Sequence, residues 1–365
     1  MFDQDILCDL SGFAPLQMEL EASYYAFSSL TELIALALHY KQEEEQKDCT
    51  YFFRGEGACF QFPTASLFVP GTLTECENEY YQAALSSAPD YFYSLNSTFD
   101  RLSQMRHYAF PTRILDITEN ILTAWFMALD SWYLGNRDKL CEYPQIQREN
   151  EPFPCPRIVV FRVPKTRIKD AESDLVTNLS CLAKVKDEFT IGHLWHEILQ
   201  ERYDFHENVF WENFKQLFEN WCVRPRMTNP RVRNQQGAYV LFGLSEEALS
   251  GSPINGQYDR SLKLKKSSGK HAKMNITQEV LPDQSCDIQV MGYLMPSQGV
   301  LQTHRSMKDF VQDSFRDLGY VGVAPHTVYV DDFEKHAAYW KQVIEDRHKS
   351  IKTVEQKGDT YEVRH

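Results

Sequence analysis

A dense set of ionisable side chains lies in residues 106–116, which read RHYAFPTRILD. His107, Arg113 and Asp116 share this short segment with a proline, and helical patterns flank it on both sides. If the chain turns helically here, the charges of Arg113 and Asp116 meet; if it is extended, they point to opposite faces. Two interpretations stay open: Asp116 caps the next helix and pairs with Arg113, or the segment holds a ligand.

A second arginine ends a short aromatic segment, TYFFRGEG at residues 50–57. The β-rich composition predicts a strand that is buried on at least one face, so the fold holds Arg54 in place. Arg54 either pairs with a buried carboxylate such as Asp116, or clamps a phosphate or carboxylate with its planar fork of donors. Gly55 and Gly57 let the backbone turn or let a ligand approach closely.

Two further segments concentrate cations or amides. Ahead of a predicted strand, Gln235 and Gln236 follow four arginines, and amides there either read a base or ribose edge or satisfy buried backbone groups. Residues 262–273 carry five lysines and predict a mobile basic loop, either a solubilising insertion or a contact for a phosphate backbone. The cations of the first segment are Arg224, Arg226, Arg231 and Arg233.

The sequence contains little evidence for a metal-binding site. His193, His196 and Glu197 lie at helical spacing but match no metal motif, and a half-exposed helix face explains them as well. The nine cysteines include no C-x-x-C pair, which is typical of reduced, mostly buried thiols. We therefore predict no metal site.

The length and composition indicate which classes of protein this chain can belong to. A chain of 365 residues with 43% hydrophobic residues can bury a sizeable core, as one elaborated domain or two closely packed ones. The net charge of −13 argues against a protein that coats nucleic acid nonspecifically. Because the N-terminus lacks a basic region and no apolar run approaches the roughly 20 residues of a membrane span, we predict a cytoplasmic protein without membrane contact.

The patterns predict an α+β fold, with a small mixed or antiparallel sheet surrounded by many helices. Ser29 with Glu32, and Ser97 with Asp100, are predicted helix caps. The sheet is expected to contain the segments near Tyr51, Val159, Tyr239 and Val328, with a further strand at 288–290. The predicted helices cover about 31–46, 72–95, 97–106, 119–132, 171–183, 192–203, 209–220, 307–318 and 331–346.

Three motifs in order resemble the bacterial FRG-domain family. They are Phe53-Arg54-Gly55, the segment 107–116, and the segment 229–239 with its paired glutamines. The resemblance covers about 30–346 as one domain with a helical insertion at about 164–220, preceded by a lead-in (1–29) and followed by a charged tail (347–365). The sequence departs from the family pattern at Arg106, where a glutamine is expected, and at Ala109, where a glycine is expected.

The resemblance implies a function as well as a fold. The family is discussed near phage-defence and toxin modules, and its motif order is similar, at a distance, to the ADP-ribosyltransferase superfamily. That similarity implies NAD as cofactor, with Arg54 and Arg113 on the phosphates and His107 or Asp116 at the ribose hydroxyls or in proton transfer. The implied catalytic residues are Arg54, Glu56, His107 and Asp116, and the implied cofactor-binding residues are Arg54, Gly55, Thr112, Arg113, Gln235 and Gln236.

Three hypotheses follow. The first is an NAD-dependent transferase, a toxin or defence effector that modifies a macromolecule touched by Arg224–Arg233 and Lys263–Lys273. The second is a non-catalytic nucleotide-binding sensor of a defence system, with an antitoxin or other defence protein as partner. The third is a buried polar network that only specifies the fold.

Overall fold

A computed structural model describes residues 23–57, 63–135, 155–226, 230–249, 259–268, 275–276, 287–304 and 306–329. The strands are β1 (Ser23–Phe27), β2 (Cys49–Glu56), β3 (Ile114–Thr118), β4 (Arg157–Pro164), β5 (Ile168–Asp170), β6 (Glu188–Thr190), β7 (Trp221–Arg224), β8 (Gly237–Leu241), β9 (Lys263–Lys265), β10 (Asn275–Ile276) and β11 (Gln289–Pro296). The helices are α1 (Leu30–Lys47), α2 (Glu77–Ser87), α3 (Pro89–Phe92), α4 (Thr98–His107), α5 (Ile121–Gly135), α6 (Asp174–Ser180), α7 (Ile191–Glu201), α8 (Glu207–Glu212), α9 (Pro230–Asn234), α10 (Gln298–Gln302), α11 (Met307–Tyr320) and α12 (Pro325–Val328).

One sheet organises the described residues. Its strand order is β1-β11-β4-β2-β3-β8-β7-β5, and β10 pairs with β11 off this path. The pairs from β11 to β7 are antiparallel, whereas β1 and β10 run parallel to β11, and β5 runs parallel to β7. Strands β6 and β9 form a separate two-stranded sheet. This architecture confirms the predicted α+β class with a mixed, mostly antiparallel sheet among helices.

The sheet is nearly split at its centre. Strands β2 and β3 pair at one position, Phe53 with Thr118, whereas β2 pairs with β4 along its whole length from Cys49 to Glu56. Beyond Phe53, β2 therefore continues without a ladder to β3. The Arg54 side chain bridges this split, because its NH1 donates to the main-chain oxygen of Asp116 at 2.8 Å.

Apolar cores cover both faces of the sheet. Helices α5, α1 and α11 pack on the face of β2, β4 and β11 that carries Phe53 and Leu294. Further along the sheet, α4 and α6 cover the side chains of Tyr239 and Leu241 on β8. The opposite face is a third core, formed around Phe52, Phe161, Val240 and Phe242.

Helix α5 lies unusually close to β2, and two glycines make this possible. A Cβ atom added to Gly55 would lie 1.9 Å from the carbonyl oxygen of Ala124, and one added to Gly57 would lie 2.4 Å from the Trp132 nitrogen. These glycines therefore allow a helix backbone to pack directly on the strand. Neither has the left-handed backbone that a turn would require.

The helix starts test the capping predictions. Ser29 caps α1 and Ser97 caps α4, each accepting a backbone N–H three residues later, so both predictions are confirmed. The alternative in which Asp116 caps α5 is wrong. Asp116 is extended in β3, and the Asn120 side chain accepts from the N–H groups of Leu122 and Thr123 instead.

Three element predictions need correction, and two lie outside the described residues. Val328 was expected in a strand but ends the short helix α12. The predicted helix 72–95 is divided between a 3-10 turn, α2 and α3, where Pro89 interrupts the hydrogen-bond ladder. Between residues 164 and 220, α6 to α8 are helical as expected, but β5 also joins the edge of the main sheet. The helix predicted at 331–346 and the charged tail are outside the described chain.

Candidate functional site

Five charged side chains form a continuous line at the split in the sheet. Arg106 Nε lies 2.8 Å from Asp116 Oδ2, and Arg54 NH1 lies 3.8 Å from the same oxygen. Arg54 Nε lies 3.5 Å from Glu56 Oε1, and Arg157 NH2 lies 2.8 Å from Glu56 Oε2. We call these residues the ion-pair cluster. Its charges alternate from Arg106 through Asp116, Arg54 and Glu56 to Arg157.

The cluster runs from the surface into the core. Asp116 keeps 33% of its side chain exposed and Arg106 24%, whereas Glu56 keeps 2% and Arg157 none. Arg157 also stacks over the Tyr293 ring at 4.0 Å. Burial lowers the pKa of the Arg54 guanidinium, and the neighbouring carboxylates Glu56 and Asp116 oppose that effect. Arg54 therefore connects the buried residues Glu56 and Arg157 to the partly exposed residues Asp116 and Arg106.

Strand register and a helix end bring these groups together. Glu56 and Arg157 are direct cross-strand partners on β2 and β4, so their side chains share one face of the sheet. Arg106 lies in the last turn of α4, and His107 is the final residue of that helix, with its side chain partly buried. Ala109 then adopts a left-handed backbone with φ of 60°, which turns the chain toward β3.

At the exposed end of the cluster, several guanidinium N–H groups have no hydrogen-bond partner among the described residues. Among the described residues, the Arg106 guanidinium forms its ion pair with Asp116 through Nε, and its two terminal nitrogens have no hydrogen-bond partner. Arg54 NH1 donates to the Asp116 carbonyl and Arg54 Nε lies within ion-pair distance of Glu56, whereas NH2 has no partner among the described residues. Within these five residues, three guanidinium groups face two carboxylates. The arrangement is suited to bind an anion.

Comparison with known protein families identifies this region. Residues 49–134 match the FRG domain. This part of the chain is an FRG domain. The match runs from β2 through α5 and includes Arg54, Glu56, Arg106, His107 and Asp116. Comparisons with curated proteins and with solved structures give no match, so the likeness to ADP-ribosyltransferases stays a prediction.

Arg113 lies in a separate buried site. Arg113 is 1% exposed, donates through Nε and NH2 to both Glu77 oxygens at 2.6 and 2.5 Å, and donates through NH1 to the Phe242 carbonyl at 3.0 Å. Lys266 Nζ adds a third cation contact to Glu77 at 2.9 Å. The expectation that Arg113 holds phosphates is therefore corrected, because its donors serve the core and β3 alternation turns it away from the face that carries Asp116.

Two other predicted binding residues also serve the fold. Thr112 is fully buried, and its N–H donates to Ser66 Oγ at 3.1 Å. The buried Gln235 donates through Nε2 to the Val328 carbonyl at 2.9 Å, which is the backbone-satisfying alternative of the sequence analysis. Gln236 is different, because its side chain is exposed and its φ is 48°. Its carbonyl accepts from the Glu119 N–H at the end of β3.

Several cations of the two basic segments pair with acidic side chains. Arg224 pairs with Glu119 at 2.7 Å, Arg226 pairs with Glu172 at 2.9 Å, and Lys265 pairs with Glu188 at 2.9 Å. Lys266 is 2% exposed, so the prediction of a mobile loop is wrong for its start: residues 263–265 form β9, and Lys266 is fixed in the core. Residues 269–273, with the other two lysines, lie outside the described chain.

No metal-binding group appears among the residues that the structure describes. Of the histidine–glutamate trio on α7, His196 contacts Gln200 at 2.9 Å, and Glu197 pairs with Lys184 at 2.9 Å. These contacts fit a helix face. Likewise, no described helix has both the length and the apolar character needed to cross a bilayer.

Sequence reasoning did not assign Arg106, Arg157 or Glu77 to any site. Arg157 carried a usable signal, because it opens the apolar strand RIVVFRV as Arg54 closes an aromatic one, and antiparallel pairing would place such ends together. Arg106 was visible only as a departure from the family pattern. Glu77 gave no signal, since its partner Arg113 is distant in the chain.

Proposed function

We propose that the FRG domain binds the phosphate of a nucleotide at the exposed end of the ion-pair cluster. The observation that carries the proposal is that Arg106 and Arg54 approach the same Asp116 oxygen, through Nε and NH1, while the two terminal nitrogens of Arg106 and NH2 of Arg54 have no hydrogen-bond partner among the described residues. Guanidinium groups form two parallel hydrogen bonds with phosphate and remain charged at every physiological pH.

The buried half of the cluster supports this proposal by fixing the exposed half. Glu56 accepts from two nitrogens of Arg157 at 3.0 and 2.8 Å, and its other oxygen faces Arg54. Arg54 is further held by its bond to the Asp116 carbonyl. A guanidinium that is already positioned loses little conformational entropy when it binds an anion.

Isothermal titration of ADP and NAD into the purified chain tests the proposal. Arg106→Gln removes the exposed guanidinium and should weaken binding by about tenfold or more, the amount expected for charge-assisted hydrogen bonds. Arg224→Gln is the matched control, since it removes an exposed arginine that is already paired with Glu119. Equal binding by wild type and Arg106→Gln would contradict the proposed site.

NAD-dependent ADP-ribosyl transfer to a macromolecule, as a toxin or phage-defence effector, is the second candidate function. The observation that favours it is the partly exposed carboxylate of Asp116 beside the guanidinium groups of Arg106 and Arg54. His107 follows Arg106 at the end of α4. NAD would supply the ADP-ribosyl group: the bond between its ribose and nicotinamide breaks, the acceptor forms the new bond to the ribose, nicotinamide leaves, and Asp116 would take the proton that the acceptor loses. Glu56 does not suit that role, because two arginines surround it and 2% of its side chain is exposed.

The two candidates differ in turnover. Incubation with NAD and cell extract, followed by mass spectrometry of nicotinamide and of labelled macromolecules, detects transfer. Release that disappears in Arg54→Ala and in Asp116→Asn would support the transferase. Binding of nucleotide without release would instead support a non-catalytic sensor, in which the bound nucleotide changes the contact with a defence partner.

A further inference from the structure

The two halves of the main sheet share an apolar core on one face but not on the other. We call β1, β11, β4 and β2 with α1, α5 and α11 the first half, and β3, β8, β7 and β5 with α4, α6 and α7 the second half. On the face that these helices cover, the core around Phe53 belongs to the first half, and a separate core around Tyr239 belongs to the second. The core on the opposite face is continuous, because it takes side chains such as Phe52 and Val240 from both halves.

Main-chain pairing between the halves is sparse. The described residues of β2 and β3 pair at one position, Phe53 with Thr118, whereas β2 pairs with β4 at eight positions and β3 with β8 at five. Arg54 NH1 adds one bond across the boundary, to the main-chain oxygen of Asp116. Two firmly paired units that share a core along one face can rotate about that core with little loss of hydrogen bonding.

A short helix of the first half lies at this boundary. Helix α12 follows α11 through a turn in which Gly322 has a left-handed backbone with φ of 81°. Directly after α12, the Tyr329 hydroxyl donates to Asp130 Oδ2 on α5 at 2.8 Å. The Tyr329 ring also contacts the Phe126 ring, with 5.7 Å between the ring centroids. These contacts attach α12 to the first half.

Two side-chain amides of the second half bind α12. Directly before β8, Gln235 Nε2 donates to the Val328 carbonyl at 2.9 Å, and Asn234 Nδ2 donates to the Thr327 carbonyl at 3.1 Å. The last carbonyls of a helix have no partner within the helix, so these amides satisfy groups that the short α12 leaves open. Gln235 is itself held to the second half, since its carbonyl accepts from Thr118 Oγ1 on β3.

We propose that the two halves open and close about their continuous core, and that Asn234 and Gln235 form a latch on α12 that holds the closed state. Opening would separate the two cores on the helix-covered face and draw Arg54, on the first half, away from Asp116, on the second. The latch would thus control access to the exposed end of the ion-pair cluster. This motion belongs to the domain itself and does not depend on nucleotide binding.

Distances between spin labels test the motion in the full chain. Ketone-bearing amino acids at Leu38 on α1, Tyr203 after α7 and Tyr320 on α11 accept the labels, because these side chains are 62%, 92% and 82% exposed. Pulsed electron–electron double resonance then gives the distance distribution for two pairs. The pair Leu38–Tyr203 spans the two halves, whereas the pair Leu38–Tyr320 lies within the first half.

Two variants release the latch from opposite sides. Gln235→Met removes the amide donor to Val328 at similar volume, and Tyr329→Phe removes the hydroxyl bond to Asp130 but keeps the aromatic ring. Loss of one hydrogen bond should raise the ratio of open to closed molecules by about fivefold. In both variants a longer Leu38–Tyr203 distance should therefore become more populated, while the Leu38–Tyr320 distance stays as in wild type.

Gln216→Met is the matched control, because it removes an amide that donates to Asn213 Oδ1 at 2.9 Å within the second half. Its two distance distributions should equal those of wild type. Circular dichroism and thermal unfolding confirm that each variant is folded. An unchanged Leu38–Tyr203 distance in both latch variants overturns the proposed opening. Equal changes in the two label pairs also overturn it, since they would indicate general loosening of the fold.

Discussion

At the scale of single residues, Arg54 and Gly55 have different physical roles although they are neighbours in one motif. The Arg54 guanidinium points into the split between β2 and β3, where it contacts Glu56 and Asp116. Gly55 lies on the opposite face of β2, against the backbone of α5. The motif therefore combines a polar group for the site with a packing position for the helix behind it.

Arg54→Ala should destabilise the fold by roughly 2–3 kcal/mol. Removing one partner of a buried pair typically costs about 3–5 kcal/mol, and the 19% exposure of the Arg54 side chain reduces that cost through solvent screening. Urea unfolding measures the change, with Arg224→Ala expected within about 0.5 kcal/mol of wild type. Unchanged stability combined with lost nucleotide binding would rule out a purely structural network.

Gly55→Ala should destabilise by about 3 kcal/mol or more, or prevent folding. The new methyl group would lie 1.9 Å from the Ala124 oxygen and 2.5 Å from the Ala128 nitrogen, and neither backbone atom can move alone. Gly299→Ala provides the control, because its Cβ meets nothing within 4 Å. Thermal unfolding of both variants checks the prediction, and a wild-type melting temperature for Gly55→Ala would contradict the packing of α5 on β2.

At the scale of elements, the end of α4 determines where Arg106 and His107 lie. The Phe110 N–H donates to the Met105 carbonyl at 3.1 Å and the Ala109 N–H to the Arg106 carbonyl at 3.2 Å, which together form a Schellman motif. Its left-handed position is Ala109, with φ of 60°, where the resemblance to the family led us to expect glycine. A β-carbon there costs conformational energy, so this helix end carries local strain beside the candidate site.

Ala109→Gly should therefore stabilise the chain by about 0.5–1 kcal/mol, because glycine adopts the left-handed region without a steric cost. The gain is partly offset by the greater freedom of glycine in the unfolded state. Ala83→Gly, at an exposed position inside α2, should have the opposite sign and cost about 0.5–1 kcal/mol. Urea midpoints of the two variants test the contrast, which fails if both move in the same direction.

At the scale of the whole molecule, one buried carboxylate joins distant parts of the chain. Glu77 on α2 binds Arg113 next to β3, and Lys266 from the segment after β9. Lys266 also donates to the Leu182 and Val185 carbonyls in the helical region. Burial raises the pKa of Glu77, but the charges of Arg113 and Lys266 outweigh burial and lower this pKa to about 2.

This shift makes stability depend on pH in acid. Because the pKa of Glu77 falls from 4.5 in its unperturbed state to about 2 in the fold, its stabilisation is complete above about pH 5 and is lost as pH falls toward 2. The contribution is about 3 kcal/mol at neutral pH. Urea unfolding of wild type and Glu77→Gln between pH 7 and pH 3 measures it.

In Glu77→Gln, this acid-dependent loss should disappear and stability at pH 7 should fall by about 3–5 kcal/mol, since two cations lose their buried partner. Glu188→Gln is the control, because Glu188 is 73% exposed and pairs with Lys265 at the surface. A Glu77→Gln variant that keeps the wild-type slope of stability against pH would show that other carboxylates cause the acid sensitivity.

The sequence determined features that depend on neighbouring residues. Side-chain periodicity and helix capping act within a few positions, so a sequence shows them directly. Features of this kind are the caps at Ser29 and Ser97, the strands near Tyr51, Val159 and Tyr239, the α+β class and the FRG motif itself.

Tertiary structure decided which charges meet. Arg113 pairs with Glu77 rather than with Asp116, which is three residues away, because β3 is extended and sends alternate side chains to opposite faces. Asp116 meets Arg106 and Arg54 because a helix end and a strand 62 positions distant from it converge at the split in the sheet. Contacts over such separations depend on strand register and helix packing, which no local pattern encodes.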